Sequence, residues 1–388
     1  MTDLLRQEIA ATATTLVVKV GTNVLTRQDG QLDQEWIAQF AAGLDQVLQA
    51  GRKVVLVSSG AVGAGMGRLG LTKRPTDLAR LQAVAAIGQS LLVEAYERAL
   101  SPYGYHAAQV LLTAEDLEHR IRYLNARNTL LALLELGAIP IINENDTVAV
   151  EELENTFGDN DRLAAIVTNL IRAPLLVLLS DVDGLFDGDP SRPESRVLPT
   201  VERLDASVYK LVRDRPGGRG KGGMASKLEA ARLATAAGEN VIIAGGRVPD
   251  ILPKIIAGQP LGTLLLAQGQ TLTARKRWIG LTVKPRGRLV LDAGAQEAVQ
   301  RRGRSLLAAG ILQVDGKFAK GDVVGLRGLD GSEFARGLTN YDHEDLDKIK
   351  GLRTGQIAAR LGYCPYQEVV HRDNMVVTVH AGKPAGAS

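Results

Sequence analysis

At about 150 residues per domain, a chain of 388 residues predicts two or three domains and a core large enough to need neither disulfides nor metals for stability. Hydrophobic residues at 45%, charged residues at 23% and a formal net charge of +3 describe a globular chain, and a single cysteine, Cys364, excludes an intrachain disulfide. No apolar run approaches the ~20 residues of a membrane span, and Met1 to Glu8 mixes both charge signs, so a soluble protein of the cytoplasm is expected.

Short apolar runs alternate with amphipathic stretches over the first 250 residues. Thr15 to Val18 predicts a buried strand and leads into Lys19-Val20-Gly21-Thr22. A lysine closing such a strand costs desolvation unless it meets a negative group; the plainer alternative is a lysine that snorkels. Val54 to Val57 predicts a second strand, followed by Ser58-Ser59-Gly60-Ala61-Val62-Gly63. Small residues there suit an anion at a helix N-terminus, or close packing. Gln109 to Leu112 reads as a third strand, and a helix over Asn125 to Leu136 ends at Gly137. The fourth run, Ile139 to Ile142, ends in Asn143-Glu144-Asn145-Asp146. These four polar residues stand where an open α/β sheet binds ligands, and they suit an ammonium group; a polar turn is the alternative.

Gly158-Asp159-Asn160-Asp161 opens a helix over Asn160 to Ile171 and carries more polar side chains than a cap needs. Leu175 to Leu179 predicts the next strand, and Ser180-Asp181 after it suits ribose or phosphate, or a bare turn. Gly217 to Lys227 then holds five glycines and three basic residues and runs into a helix over Ser226 to Ala237. Flexible amides, a helix N-terminus and fixed cations suit a polyphosphate cradle; a mobile linker is the alternative. Lys227 opposes the helix dipole there and calls for a compensating anion. With Val241 to Ile243, the series predicts a mostly parallel sheet with helices on both faces.

After Arg275-Lys276-Arg277-Trp278 the pattern changes to short strands with glycine turns, a small β-rich domain. Residues 282–388 hold 16 basic and 12 acidic residues, so the basic excess lies in this tail. Cys364 is expected to be small and buried, and residues from Ala381 to be disordered. Two motifs mislead. Gly65-Met66-Gly67-Arg68-Leu69-Gly70 matches a dinucleotide fingerprint but stands away from its strand, and His371-Arg372-Asp373-Asn374 matches a kinase loop too near the end of the chain.

Taken in order, these segments resemble the amino acid kinase family. The residues that carry the resemblance are Val17-Val18-Lys19-Val20-Gly21-Thr22, Ser58-Ser59-Gly60-Ala61, Leu124-Asn125-Ala126-Arg127, Ile142-Asn143-Glu144-Asn145-Asp146, Gly158-Asp159-Asn160-Asp161 and Gly222-Gly223-Met224-Ala225-Ser226-Lys227. Within the family they resemble the branch acting on the side-chain carboxylate of L-glutamate. The resemblance implies a three-layer α/β/α sandwich with a mostly parallel sheet over residues 1–278. A small β-barrel PUA-like domain would follow over 285–365. It implies phosphoryl transfer from ATP, with Mg2+, to give L-glutamyl 5-phosphate, the first step of L-proline synthesis.

By the same resemblance, Lys19 and Lys227 contact the transferring group and Asp161 orients them. Ser59, Asp146 and Asn160 bind glutamate. Lys19, Ser180, Asp181 and the run Lys221, Gly222, Gly223, Met224, Ala225, Ser226 and Lys227 line the ATP site. Feedback inhibition by L-proline, a homo-oligomer and hand-over of the product to glutamate-5-semialdehyde dehydrogenase are also implied. No protein ligand is assigned to a metal. Three residues depart from the family pattern: Ser180 stands for a common Thr, Lys221 for a Thr or small residue, and Ala225 for a Ser. Two alternatives stay open: a sibling kinase of N-acetylglutamate or aspartate, and RNA binding led by the PUA-like tail, for which no interleaved aromatic platform is evident.

Overall fold

The computed structural model describes residues 3–27, 30–148, 160–213, 223–268 and 274–378. The chain divides into two compact units, residues 1–271 and 272–388. Among the described residues the first unit carries an eight-stranded sheet in the order β3-β4-β2-β1-β5-β7-β8-β6. Its strands are β1 (Thr15–Val20), β2 (Lys53–Ser58), β3 (Ala107–Leu112), β4 (Ile139–Glu144), β5 (Leu175–Ser180), β6 (Thr200–Val201), β7 (Asn240–Gly245) and β8 (Thr263–Leu265). All six strands expected from the apolar runs are present. The short edge pieces β6 and β8 are additions, and β8 pairs antiparallel with β7 in a sheet otherwise parallel.

Helices cover both faces, which is why β1, β4 and β5 are buried along almost their whole length. Leu16, Val18 and Val20 of β1 share one core with the helices Gln34–Gln49, Leu78–Leu100 and Ile251–Ile256. Side chains alternate across a strand, so Val17 and Lys19 face the other layer. There the helix Asn160–Ile171 packs on β1, β2, β4 and β5, with the helix Met224–Ala236 beside it. A register slip of one residue would send Lys19 into the apolar core instead.

Of the dinucleotide-like glycines, Gly65 serves packing and Gly70 caps its helix with φ +65°. The helix Ala61–Leu69 crosses Leu78–Leu100 so closely that a Cβ on Gly65 would stand 1.9 Å from the Val84 carbonyl oxygen, and one on Gly88 1.7 Å from that of Ala61.

The second unit has a five-stranded sheet in the order β10-β9-β11-β12-β13. These strands are β9 (Gly287–Leu291), β10 (Ile311–Asp315), β11 (Val323–Arg327), β12 (Glu333–Leu338) and β13 (Met375–Val377). Leu289, Leu291, Val324, Leu326 and Phe334 lie in its core. The glycine spacing did not announce its helices Ala293–Gln300, His343–Ile349 and Thr354–Leu361. The first two start at aspartate caps: Asp292 accepts from the Ala295 amide and Asp342 from that of Asp345. Cys364 corrects an expectation. It is exposed, because Tyr363 to Tyr366 runs over the surface after the last helix, and its thiol lies 3.4 Å from the Tyr366 carbonyl oxygen. The segment from Ala381 lies outside the described residues. No described helix is long and apolar enough to cross a membrane.

Candidate active site

β1, β2, β4, β5 and β7 run parallel, so their carboxyl ends share one edge of the sheet. In register, Val20 stands beside Ser58 and Leu179, and Ser180 beside Gly245. The polar segments expected at strand ends meet along this edge.

Lys19 on β1 and Lys227 in the first turn of Met224–Ala236 both reach Asp161, in the first turn of Asn160–Ile171. The Lys19 Nζ stands 2.6 Å from Asp161 Oδ1 and the Lys227 Nζ 3.3 Å from Oδ2. The Ser226 hydroxyl donates to the same Oδ2 at 3.4 Å. Asp161 is 0% exposed and each lysine 5%. Burial pushes the Asp161 carboxyl up, but the facing charges of Lys19 and Lys227 outweigh it and hold the group below the usual carboxylate range. The helix dipole favours an anion at Asp161 and disfavours a cation at Lys227. Asp161 therefore supplies at least part of the anion that Lys227 calls for. Two ammonium groups share one buried carboxylate here, and the corner is nearly dry. Such a site can stabilise negative charge that develops on a transferring phosphoryl group.

A second corner is built from neutral groups. Asn160 Nδ2 donates to Ser59 Oγ at 2.9 Å, to Asn143 Oδ1 at 2.9 Å and to the Ser58 carbonyl at 3.3 Å. Asn143 Nδ2 in turn donates to Gln89 Oε1 at 2.7 Å. On the same helix as Gln89, the Tyr96 hydroxyl meets the Ser58 hydroxyl at 3.0 Å, and burial raises the Tyr96 phenol. Gly60 turns the chain out of this corner with φ +107°, a conformation that favours glycine. Asp146 lies half-buried in the turn after β4. Asn145 is engaged within that turn, where its side-chain oxygen accepts from the Thr147 hydroxyl.

A third group closes the edge at β5. The buried Ser180 hydroxyl donates to Asp181 Oδ1 at 3.0 Å, and Asn23 Nδ2 donates to Oδ2 at 2.8 Å. The Asn23 contact holds the Asp181 carboxyl below its usual range against partial burial, with further help from Ser180 and the charge of Lys227. Gly223 caps the helix that carries Met224, Ala225, Ser226 and Lys227. Lys221 and Gly222 lie outside the described residues, as do Gly158 and Asp159. Among the described residues no cluster of three His, Cys, Asp or Glu side chains could hold a metal.

Sequence reasoning missed two polar residues of the site, Gln89 and Asn23, and did not single out a third, Asn143. Asn143 stood within the polar run at the end of β4, where it is buried together with Glu144, and nothing local told it from its neighbours. Gln89 sits mid-helix, 54 residues before its partner, with no local signal. Asn23 follows Gly21-Thr22 as an ordinary turn residue would.

This arrangement defines a class. The amino acid kinase family profile matches residues 14–245 and the PUA domain profile residues 287–361. The chain belongs to the amino acid kinase family. It is similar to the glutamate 5-kinase of Rhodopirellula baltica, 48% identical over 375 residues, which is 97% of this chain and 96% of that one. A glutamate 5-kinase of Thermus thermophilus is 49% identical over 94% of this chain and 98% of its own. That of Geobacter sulfurreducens is 44% identical over 96% of this chain and its full length.

Proposed function

We propose that this chain transfers the γ-phosphoryl group of ATP to the side-chain carboxylate of L-glutamate, giving L-glutamyl 5-phosphate for proline synthesis. The corner formed by Lys19, Asp161 and Lys227 is the observation that carries the reading. The long, high-identity relation to glutamate 5-kinases supports the choice of substrate. The acceptor carboxylate is already ionised near neutral pH, so its attack requires no general base. The new bond joins a carboxylate oxygen to the γ-phosphorus, the bond to the ADP oxygen breaks, and no proton moves. Lys19 and Lys227 would flank the phosphoryl group as its charge spreads, while Asp161 holds both ammonium groups in place.

Ser59, Asn160 and Asp146 would hold glutamate, with Asp146 opposite the ammonium group. Ser180, Asp181 and the segment Lys221 to Lys227 would hold ATP. The two ammonium groups held at Asp161 would suit a triphosphate. Magnesium, carried on the phosphates, would add charge neutralisation when bound. The reading extends to a catalytic domain over 1–278 and a PUA-like domain over 285–365. It also takes in a cytoplasmic location, a homo-oligomer, inhibition by L-proline, and hand-over of the labile acyl phosphate to glutamate-5-semialdehyde dehydrogenase.

A coupled ADP-release assay over a panel of acids tests the reading. Release should depend on L-glutamate and be much weaker with N-acetylglutamate or aspartate. Preference for either of those acids would assign the chain to a sibling activity.

A further inference from the structure

The neutral corner has a polarity that a single backbone atom sets. A carbonyl oxygen can only accept, so the Asn160 side-chain atom facing the Ser58 carbonyl at 3.3 Å must be the NH2 group. The Asn143 atom 2.9 Å from that NH2 is then its oxygen, and the Asn143 NH2 is left for Gln89 Oε1 at 2.7 Å. Three amides are thus oriented in series, and none can flip alone without setting oxygen against oxygen or nitrogen against nitrogen.

The series ends on Ser59. Its hydroxyl accepts from Asn160, so its own proton is free to be given onward, and no acceptor for it is present among the described residues. A hydroxyl held as a donor suits an anionic oxygen, here a carboxylate of the amino-acid substrate. At the other end Gln89 is 7% exposed, and its Nε2 has no hydrogen-bond partner among the described residues. A buried amide that leaves its own NH2 unpaired contributes through its oxygen, which is the atom that holds Asn143.

On this basis, and resting on the glutamate-binding role given to Ser59 above, we infer that Gln89 is a positioning residue for substrate. Acting through Asn143 and Asn160, it braces the order that the Ser58 carbonyl sets and so helps hold the Ser59 hydroxyl as a donor to the substrate carboxylate. Helix Leu78–Leu100 thereby supports the glutamate side of the site.

Gln89→Met removes the acceptor while keeping the length and most of the bulk of the side chain. Gln89→Asn is the gentler variant and withdraws the amide by one methylene. Each should raise the KM for glutamate roughly five- to tenfold, the worth of one well-placed hydrogen bond, and leave kcat and the KM for ATP within about twofold. The same substitutions placed on Ser59→Ala should add little to the glutamate KM, because the hydroxyl they orient is gone. An unchanged glutamate KM in Gln89→Asn would overturn the inference. So would an equal rise on Ser59→Ala, or a joint loss of kcat and both KM values in a folded variant. Should Gln89→Met lose its fold by circular dichroism, Gln89→Asn decides alone. The wild-type protein keeps the two readings apart: no turnover of glutamate would sink the proposed function, whereas turnover indifferent to Gln89 would sink only this inference.

Discussion

The two corners of the site use opposite means to hold their side chains. Around Asp161 the partners are full charges, buried and mutually dependent, two lysines on one carboxylate. Around Asn160 the partners are neutral amides and a hydroxyl, whose order is set by a backbone carbonyl. Charge suits the place where charge develops during transfer, because a preorganised cation in a dry site gains strength as the transition state forms. Neutral donors and acceptors suit the place where a substrate is recognised, because their geometry tells one functional group from another. Substitutions in the first corner should therefore act on turnover, and substitutions in the second on substrate binding.

Lys227→Ala gives the largest expected effect. Turnover should fall on the order of a hundred- to a thousandfold, with a smaller change in the KM for glutamate. Normal turnover with only a raised ATP requirement would move Lys227 from chemistry to nucleotide binding and blur the division between corners. Asp161→Asn should lower turnover by about a hundredfold, since both lysines lose the charge that aligns them. Its melting temperature should change less than its rate; a destabilised protein with full turnover would make Asp161 a purely structural residue. Asp146→Ala tests the other corner. Loss of a charged partner for the ammonium group should raise the KM for glutamate roughly thirtyfold and leave ATP binding nearly intact. It should also narrow the preference for glutamate over N-acetylglutamate, and normal glutamate binding by calorimetry would remove Asp146 from the site.

The smallest effect is one of pH. The Asp161 carboxyl is held below its ordinary value of 3.8 in the folded chain. A group lowered on folding stabilises the native state fully above its unfolded-state value and loses that contribution as pH falls through the folded-state value. Asp161→Asn should accordingly flatten the acid limb of a melting-temperature curve below about pH 4 and leave its slope above that unchanged. A steeper acid limb in the variant would contradict the sign.

Much of the first corner was legible in the sequence, because each part carries a local sign. Lys19 closes a β-branched run, Asp161 opens a helix, and Lys227 sits where a cation is disfavoured. The second corner was legible at Ser59, at Asn160 and in the polar run Asn143 to Asp146, but not at Gln89. Gln89 lies on a long helix among Ala85, Gly88 and Leu92, and nothing nearby tells an inward glutamine from a solvated one. What selects it is its partner Asn143 on β4, which tertiary packing alone brings to it. In the second unit the glycines announced turns but hid the helices after Asp292 and Asp342, which are too short for periodicity to register. Cys364 was misread for a related reason: residue type gives a tendency to burial, and the path of a surface loop overrides it.

In the proposed reaction the side-chain carboxylate of glutamate attacks the γ-phosphorus of ATP. Glutamate carrying heavy oxygen in that carboxylate tests it directly. The acyl phosphate formed cyclises by attack of its own amine on the carbonyl carbon and expels phosphate with the former carboxylate oxygen. Mass spectrometry of the released phosphate should find heavy oxygen in step with ADP formation, and both signals should collapse in Lys227→Ala. Unlabelled phosphate at full ADP release would mean that water, and not glutamate, accepts the phosphoryl group, and would contradict the account.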